Sequence, residues 1–399
     1  MATVASVPRQ RVATRTVFAV RRRRGGLGDF PIGRVMLAQV ALLAHRAGRA
    51  GGRPVAQGGL RGRPAVVLLL AVSVRIGGRW WLTQLRRRGA LRVRRQAARR
   101  AMGVATRSGD TRLVALAALA PGASIGEFHD RGSDIGIGQD EHGWYCALVV
   151  APFASLDGTR RASFSLDRLA RVLSETSVPV SRMQVVTCAL PAPRELAGAA
   201  VAQSYRELLG NDPVPADQTI WVAVRLGPAD AADAAASRGG GVEGVHRALA
   251  TSIARIGKAL SEVDVPHRVL DGLELLDAVS GAIGGAAGPG AEHAQSWQAD
   301  GLSQVCFEVT EWPSGHPAEF LTGFSHLPAS LVSVSVLVSP AEGEVGLRGL
   351  IRIGAPPGGI GNAGRAVEEQ ARRAGGRVRR LDDEHGPAVY ATCPTGGGA

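Results

Sequence analysis

PAVVLLLAVSVRIGGRWWLTQLRRR, residues Pro64 to Arg88, is the stretch on which the architecture turns, because an apolar run, an aromatic pair and an arginine cluster follow one another there. Pro64 to Val74 carries no charge, and a helix continued past Arg75 to Leu85 reaches the roughly 20 residues that a bilayer core demands. Trp80 and Trp81 then stand where amphipathic rings collect at the headgroup level. Arg86, Arg87 and Arg88 follow, where the cytoplasmic leaflet attracts cations. These five residues form the expected membrane interface. Arg75 opposes the reading, since a guanidinium in hydrocarbon costs about 2.5–3.5 kcal/mol unless it snorkels or meets a partner helix. The alternative is a buried amphipathic helix in a soluble domain.

Working outward, residues 1–112 carry 25 arginines against Asp29 and Asp110, a net of +23 within an overall +13, so the rest of the chain is net acidic at −10. A basic arm on an acidic body points to an anionic surface met by the N-terminus alone. Nucleic acid is the competing partner. It is not expected, because the arm offers only Phe18, Phe30, Trp80 and Trp81, and the tryptophans adjoin an apolar run instead of alternating with spaced basic residues. A second apolar run, Val35 to Leu43, is too short to span alone. The loop between the runs holds five arginines, but eight precede it and eleven follow from Arg79 to Arg112, which places both flanks in the cytoplasm. The organisation expected is a basic disordered tail over 1–33, an anchor region with one or two short helices over 34–112, and an α/β or α+β cytoplasmic body over 113–399.

Within the body, residues 133–151 read as a hairpin with its turn at Asp140 to Gly143. Strands are expected at Met183–Leu190, Thr219–Leu226, His267–Leu270, Leu302–Thr310, Leu331–Val338 and Val345–Ile353, with two more near Val378 and Ala388. Helices are expected at Leu166–Leu173, Glu195–Leu209, Val242–Glu262, Leu273–Ala282 capped by Asp271, and Ala363–Ala374. Residues 227–241 and 281–290 read as loops. The interleaving suggests pairs of similar units sharing sheets.

Motifs for chemistry are thin. Gly359-Ile-Gly361-Asn-Ala-Gly364 matches a dinucleotide fingerprint with Asp382 some 20 residues on, but Pro356 and Pro357 intrude where a tight turn is needed. Gly122-Ala-Ser124-Ile-Gly126 matches a nucleophile elbow without a strand leading in. Glu141–His142 and Asp382–His385 are acid/base candidates that read better as solvated turns. Cys146, Cys188, Cys306 and Cys393 lack metal spacing and suit buried reduced thiols. No catalytic residue, cofactor or metal is expected. A soluble nucleotide-dependent enzyme using 359–364 and an arginine-rich nucleic-acid binder remain the alternatives.

The order of GIGQDEHGWYCALVV, LATSIARIGKALSEVDVPHRVLDGLELLDAV, WQADGLSQVCFEVTEWP, LRGLIRIGAP and GGRVRRLDDEHGPAVYATCP, after an arginine-rich start, weak hydrophobic spans and a Trp-Trp collar, resembles the EccE family of the actinobacterial type VII (ESX) secretion system. That resemblance implies a non-enzymatic structural subunit in the cell membrane, supporting protein export beside EccB, EccC and EccD, with its body on the cytoplasmic side. The anchor departs from the family pattern, in which two clear adjacent transmembrane helices are usual.

Overall fold

The computed structural model describes residues 18–20, 75–76, 79–130, 132–150, 180–190, 217–284, 289–313, 317–327, 329–341 and 344–397. The apolar runs at 35–43 and 64–74 and the expected helices at 166–173 and 195–209 lie outside the described residues. At the end of the second run the structure corrects the sequence reading. β2 (Arg75–Ile76) pairs antiparallel with β3 (Arg79–Trp80), so no helix continues from Pro64 to Leu85. Gly77-Gly78, between the two strands in sequence, is the kind of pair that a two-residue hairpin favours. The helix begins only at Trp81, as α1 (Trp81–Ala105). Among the described residues no helix is long and apolar enough to cross a membrane. The tail expected to be disordered contributes β1 (Phe18–Val20), an apolar triplet that pairs parallel with Val345–Leu347.

After α1 come α2 (Thr111–Leu119), β4 (Ser124–Asp130), β5 (Ser133–Asp140), β6 (Gly143–Val150), β7 (Arg182–Leu190), β8 (Asp217–Leu226), α3 (Pro228–Ala236), α4 (Gly241–Ser261), β9 (His267–Val269) and α5 (Gly272–Ile283). Then follow β10 (Ala291–Glu292), β11 (Trp297–Ala299), β12 (Leu302–Glu311), α6 (Pro317–Thr322), β13 (Leu331–Ala341), β14 (Glu344–Ala355), α7 (Ile360–Arg373), β15 (Arg377–Arg380) and α8 (His385–Tyr390). The body is α+β, built on one sheet that is antiparallel apart from β1. Three expectations fail. Residues 228–236 form a helix, because Pro228 at N1 and an alanine-rich run favour helix over loop. Ala388 lies in α8 instead of a strand. Ser124 opens the edge strand β4, where a loop was expected. The cap of α5 is as expected and better: Asp271 Oδ1 accepts from Glu274 N at 2.8 Å and Glu274 Oε2 accepts from Asp271 N at 3.1 Å, a reciprocal capping box.

The strand order β10-β11-β12-β14-β13-β7-β8-β6-β5-β4 reads as the same plan from either end. In one half Leu148 of β6 lies opposite Val222 of β8 and Val269 of β9; in the other Phe307 of β12 lies opposite Ile351 of β14 and Arg380 of β15. Val222 pairs with Val185 of β7, and Ile351 with Val334 of β13. At the central seam Val185 pairs with Val336 and Thr187 with Val334, a register that a two-fold axis maps onto itself. Two similar units therefore share one sheet. Alternate residues face two apolar layers. One holds Val222, Ile253, Val334, Ile351 and Val367 beneath α4 and α7; the other holds Leu116, Leu276, Leu350 and Val389 beneath α2, α5 and α8.

Candidate interaction site

α1 contains eight arginines and no acidic residue. At a spacing of three and four, Arg87, Leu91, Arg94, Arg95 and Ala98 turn toward the body, with Leu91 buried and the others half-buried. The opposite side exposes Arg86, Arg88, Arg92, Arg99 and Arg100 among Leu85, Val93 and Val104. Arg94 makes the firmest contact: its Nε donates to Glu292 Oε2 at 3.0 Å and its Nη2 to Oε1 at 2.8 Å, a bidentate fork. The same Nη2 donates to the Asp383 carbonyl at 2.6 Å, and Arg95 Nε donates to the Glu292 carbonyl at 2.6 Å. Glu292 Oε1 also accepts from Gly386 N at 2.9 Å, so one buried carboxylate ties α1, the β10–β11 hairpin and α8 together. Arg87 pairs with Glu384 at 3.4 Å.

Of the expected membrane interface, Trp80 ends β3 and Trp81 opens α1; Arg86 and Arg88 face out, while Arg87 faces the body. Asp382–His385 is not a solvated turn. His385 is wholly buried and its Nδ1 accepts from Cys306 N at 3.2 Å, and Arg380 meets Asp382 at 3.0 Å. Glu384, the Asp383 carbonyl and Glu292 form the dock for α1. The legible signal was the periodic row Leu91, Arg94/Arg95, Ala98 and Met102, which marks one face of a helix packed on something.

A second polar centre holds the C-terminal segment. Arg225 of β8 donates from Nη1 to Asp140 Oδ1 at 2.6 Å and from Nη2 to Oδ2 at 2.7 Å, and from Nε to the Thr395 carbonyl at 3.0 Å. Tyr390 Oη donates to Asp140 Oδ2 at 2.8 Å, and His142 N donates to Oδ1 at 2.8 Å. Tyr145 stacks under the guanidinium, its centroid 5.0 Å away. Its ring occupies the space a Cβ at Gly138 would need, 2.1 Å off, so Gly138 must lack a side chain. Burial alone would raise the Asp140 carboxyl, but the bonds and charge of Arg225 outweigh it and hold it below the usual range. Burial pushes Tyr145 and Tyr390 well above the usual phenol range. Beside this centre, Gln184 Nε2 and Ser335 Oγ donate to the Ala391 carbonyl at 2.7 and 3.0 Å, and Ser333 Oγ to the Thr392 carbonyl at 3.0 Å. Arg182 donates to the Gly397 carbonyl. Asp140 and Arg225 are saturated, buried groups, suited to holding a strap and not to exchanging protons with a substrate.

The two glycine motifs do not build sites. Gly359 N and Ile360 N both donate to the Pro356 carbonyl, at 2.8 and 3.2 Å, so the N–H groups a pyrophosphate would need are already engaged. β14, which leads into them, is flanked by the antiparallel strands β12 and β13, unlike the parallel unit of a dinucleotide fold. Ser124 sits in an edge strand opposite Gln139 with no helix after it. All four cysteines are buried and unbridged; burial pushes Cys146 and Cys306 up to about 12 and Cys393 to about 11, far from nucleophilic. Among the described residues no group of three or more His, Cys, Asp or Glu is placed to hold a metal.

Residues 214–309 match the family described as "Putative type VII ESX secretion system translocon, EccE". Over this segment the chain is similar to the EccE family. The matched segment runs from β8 into β12 and carries both Arg225, which holds the C-terminal strap, and Glu292, which holds α1. No curated protein matches the chain. Among solved structures an alkyldihydroxyacetonephosphate synthase matches at 10% identity and a TM-score of 0.25, over 62% of this chain and 40% of that one. The chain thus spans less than half the length of that structure, and so loose a likeness carries no argument about fold or activity.

Proposed function

We propose that this chain is a non-enzymatic structural subunit of a type VII secretion complex in the cell membrane, in which α1 transmits the position of an N-terminal anchor to a cytoplasmic body. The observation that carries the reading is the Arg94–Glu292 clamp: a basic helix that follows the apolar runs is held by a buried carboxylate inside the EccE-matched segment. In this reading residues 1–33 are a basic tail, 34–112 the anchor region and 113–399 the body. Trp80, Trp81, Arg86 and Arg88 face the lipid bilayer, joined by Arg92, Arg99 and Arg100, while Arg87 serves the dock. The excess of arginines on the flanks of the anchor keeps the body on the cytoplasmic side. EccB, EccC and EccD are the proposed partners, and the two-unit sheet supplies the rigid surface that a scaffold needs. Solubilised membranes from cells expressing the tagged full chain provide the test. Co-purification of the other type VII membrane components is expected, and elution of the chain alone would overturn the reading.

A further inference from the structure

The body grips α1 by one face and leaves the other bare. Arg87, Arg94 and Arg95 reach Glu384, the Glu292 carboxylate and the Glu292 carbonyl, and these contacts, spread over about two turns, fix the rotation of the helix about its own axis. What points outward is then set by the sequence. At 3.6 residues per turn Arg88, Arg92 and Arg99 fall along one flank of the outer face and Arg86, Val93 and Arg100 along the other, with Gly89, Gln96 and Gly103 between them, all exposed. The five arginines span about 21 Å of helix. They make no ion pair or hydrogen bond among the described residues, and no acidic side chain in α1 tempers them. Met102 packs against the apolar layer that holds Leu116, Leu276 and Val389, so α1 lies on the α2, α5 and α8 side of the sheet.

We infer that α1 lies flat on the membrane as a reader of anionic phospholipid, its outer arginines on the headgroup phosphates, so that the α2, α5 and α8 side of the body meets the lipid and α4 and α7 face away. Two observations choose this partner. Leu85, Val93 and Val104 are 47%, 66% and 65% exposed on the same outer face. A nucleic-acid backbone would satisfy the arginines and leave these side chains in water, whereas the boundary between headgroups and acyl chains takes both. Charge across the molecule also fits: residues 113–399 are net −10, so an anionic surface attracts α1, repels the rest and thereby orients the body. The inference deepens the anchored reading by naming the lipid class and the side that meets it, and rests on that reading only for there being a membrane beside the chain.

The test exploits the burial of all four cysteines, which lets Val93→Cys take a thiol-reactive, environment-sensitive dye selectively. The labelled full chain, purified in uncharged detergent, is titrated with phosphatidylglycerol or phosphatidylcholine. Val242→Cys, exposed at the start of α4 on the other side of the sheet, is the control. Phosphatidylglycerol should blue-shift the dye at position 93 and shield it from an aqueous quencher, more strongly at low salt than at high, while phosphatidylcholine does neither and the dye at position 242 stays silent. An arginine near an anionic surface is worth about fivefold in affinity, so Arg92→Gln, Arg99→Gln and Arg100→Gln together should raise the midpoint about a hundredfold. The melting temperature should not move, because these three side chains bond nothing in the body. Equal responses to the two lipids, a response that survives the triple substitution, or one of equal size at position 242 would overturn the inference. So would silence toward phosphatidylglycerol, and a DNA or RNA oligonucleotide that then moved the dye would name nucleic acid as the partner instead. The titration reads lipid class and not co-purification, so loss of the secretion components would leave it unchanged and the two readings fail separately.

Discussion

The two units share a strand plan and part company at their outer hairpins. In the second, Glu292 of β10 is buried against α8 and gripped by Arg94 of α1. In the first, the edge strand β4 presents Glu127 to solvent, its carboxylate reaching only Gly272 N, at 3.4 Å, among the described residues. The C-terminal strap reverses the asymmetry, leaving the second unit and ending under the first, on Arg225 and Arg182. A duplicated sheet thus carries one basic helix at one end and one buried strap across its middle. The difference teaches that the matching outer hairpins of a duplicated sheet need not carry the same contacts: Glu292 grips an arginine supplied from far away in sequence, while its counterpart by strand pairing, opposite Gly138, is Ile125.

The comparison breaks most completely at the strap. Asp140→Asn leaves Arg225 buried without a counter-charge, and breaking such a pair costs about 3–5 kcal/mol. Chemical denaturation should show the whole body destabilised, with residues near Thr395 losing amide protection. A smaller loss is expected at the clamp. Glu292→Gln removes charge-assisted bonds worth about 1.5–3 kcal/mol, so α1 should become protease-sensitive while the sheet keeps its cooperative transition. The same change at Glu127 should stay within about 0.5 kcal/mol, and equal effects at the two positions would erase the asymmetry.

Acid sharpens the picture further. Burial raises Asp140 and Glu308, but Arg225 for the first, and Arg379 with Arg348 for the second, bring both folded-state values below the ordinary carboxylate range. Their contribution is therefore complete above the unfolded carboxylate pKa, about 4, and is lost as pH falls through the lower folded values. Stability should be flat from neutral pH down to about pH 5 and drop below about 4; Asp140→Asn should flatten that drop in a pH series of melts. The smallest effect is expected in the glycine-rich turn. Gly361 lies in α7 with open space where an added Cβ would sit, nothing coming within 4 Å, and no positive φ, so Gly361→Ala should stabilise by about 0.4–1 kcal/mol. A destabilised Gly361→Ala protein would mean that the turn serves something other than joining β14 to α7.

Much of the body was legible because it is periodic or punctuated. The apolar runs of β7, β8, β12, β13 and β14, the helical spacing of α4, and Asp271 with Glu274 at the start of α5 are local patterns. The misreadings were equally local in origin. GPADAADAAASRGGG looks like a linker until Pro228 is seen to start a helix whose alanines pack on α4, and AVYATC has the composition of a strand although it belongs to a short helix and the strap beyond it. The packed face of α1 was legible as a periodic row, but the partners at neither site were, since Arg94 finds Glu292 across nearly 200 positions and Arg225 finds both Asp140 and Thr395.

The sequence by itself determined a basic arm on an acidic mixed body, the order of most strands and helices, and the family resemblance, because these rest on composition, short-range periodicity and the order of segments. Only the tertiary structure decided that the sheet is antiparallel around a two-fold seam, that Asp382 and Glu384 meet arginines, and that residues 391–397 run through the interior. Those outcomes depend on which side chains distant segments bring within hydrogen-bond reach, and burial then turns such encounters into fixed geometry, because a charge out of water must keep its partner.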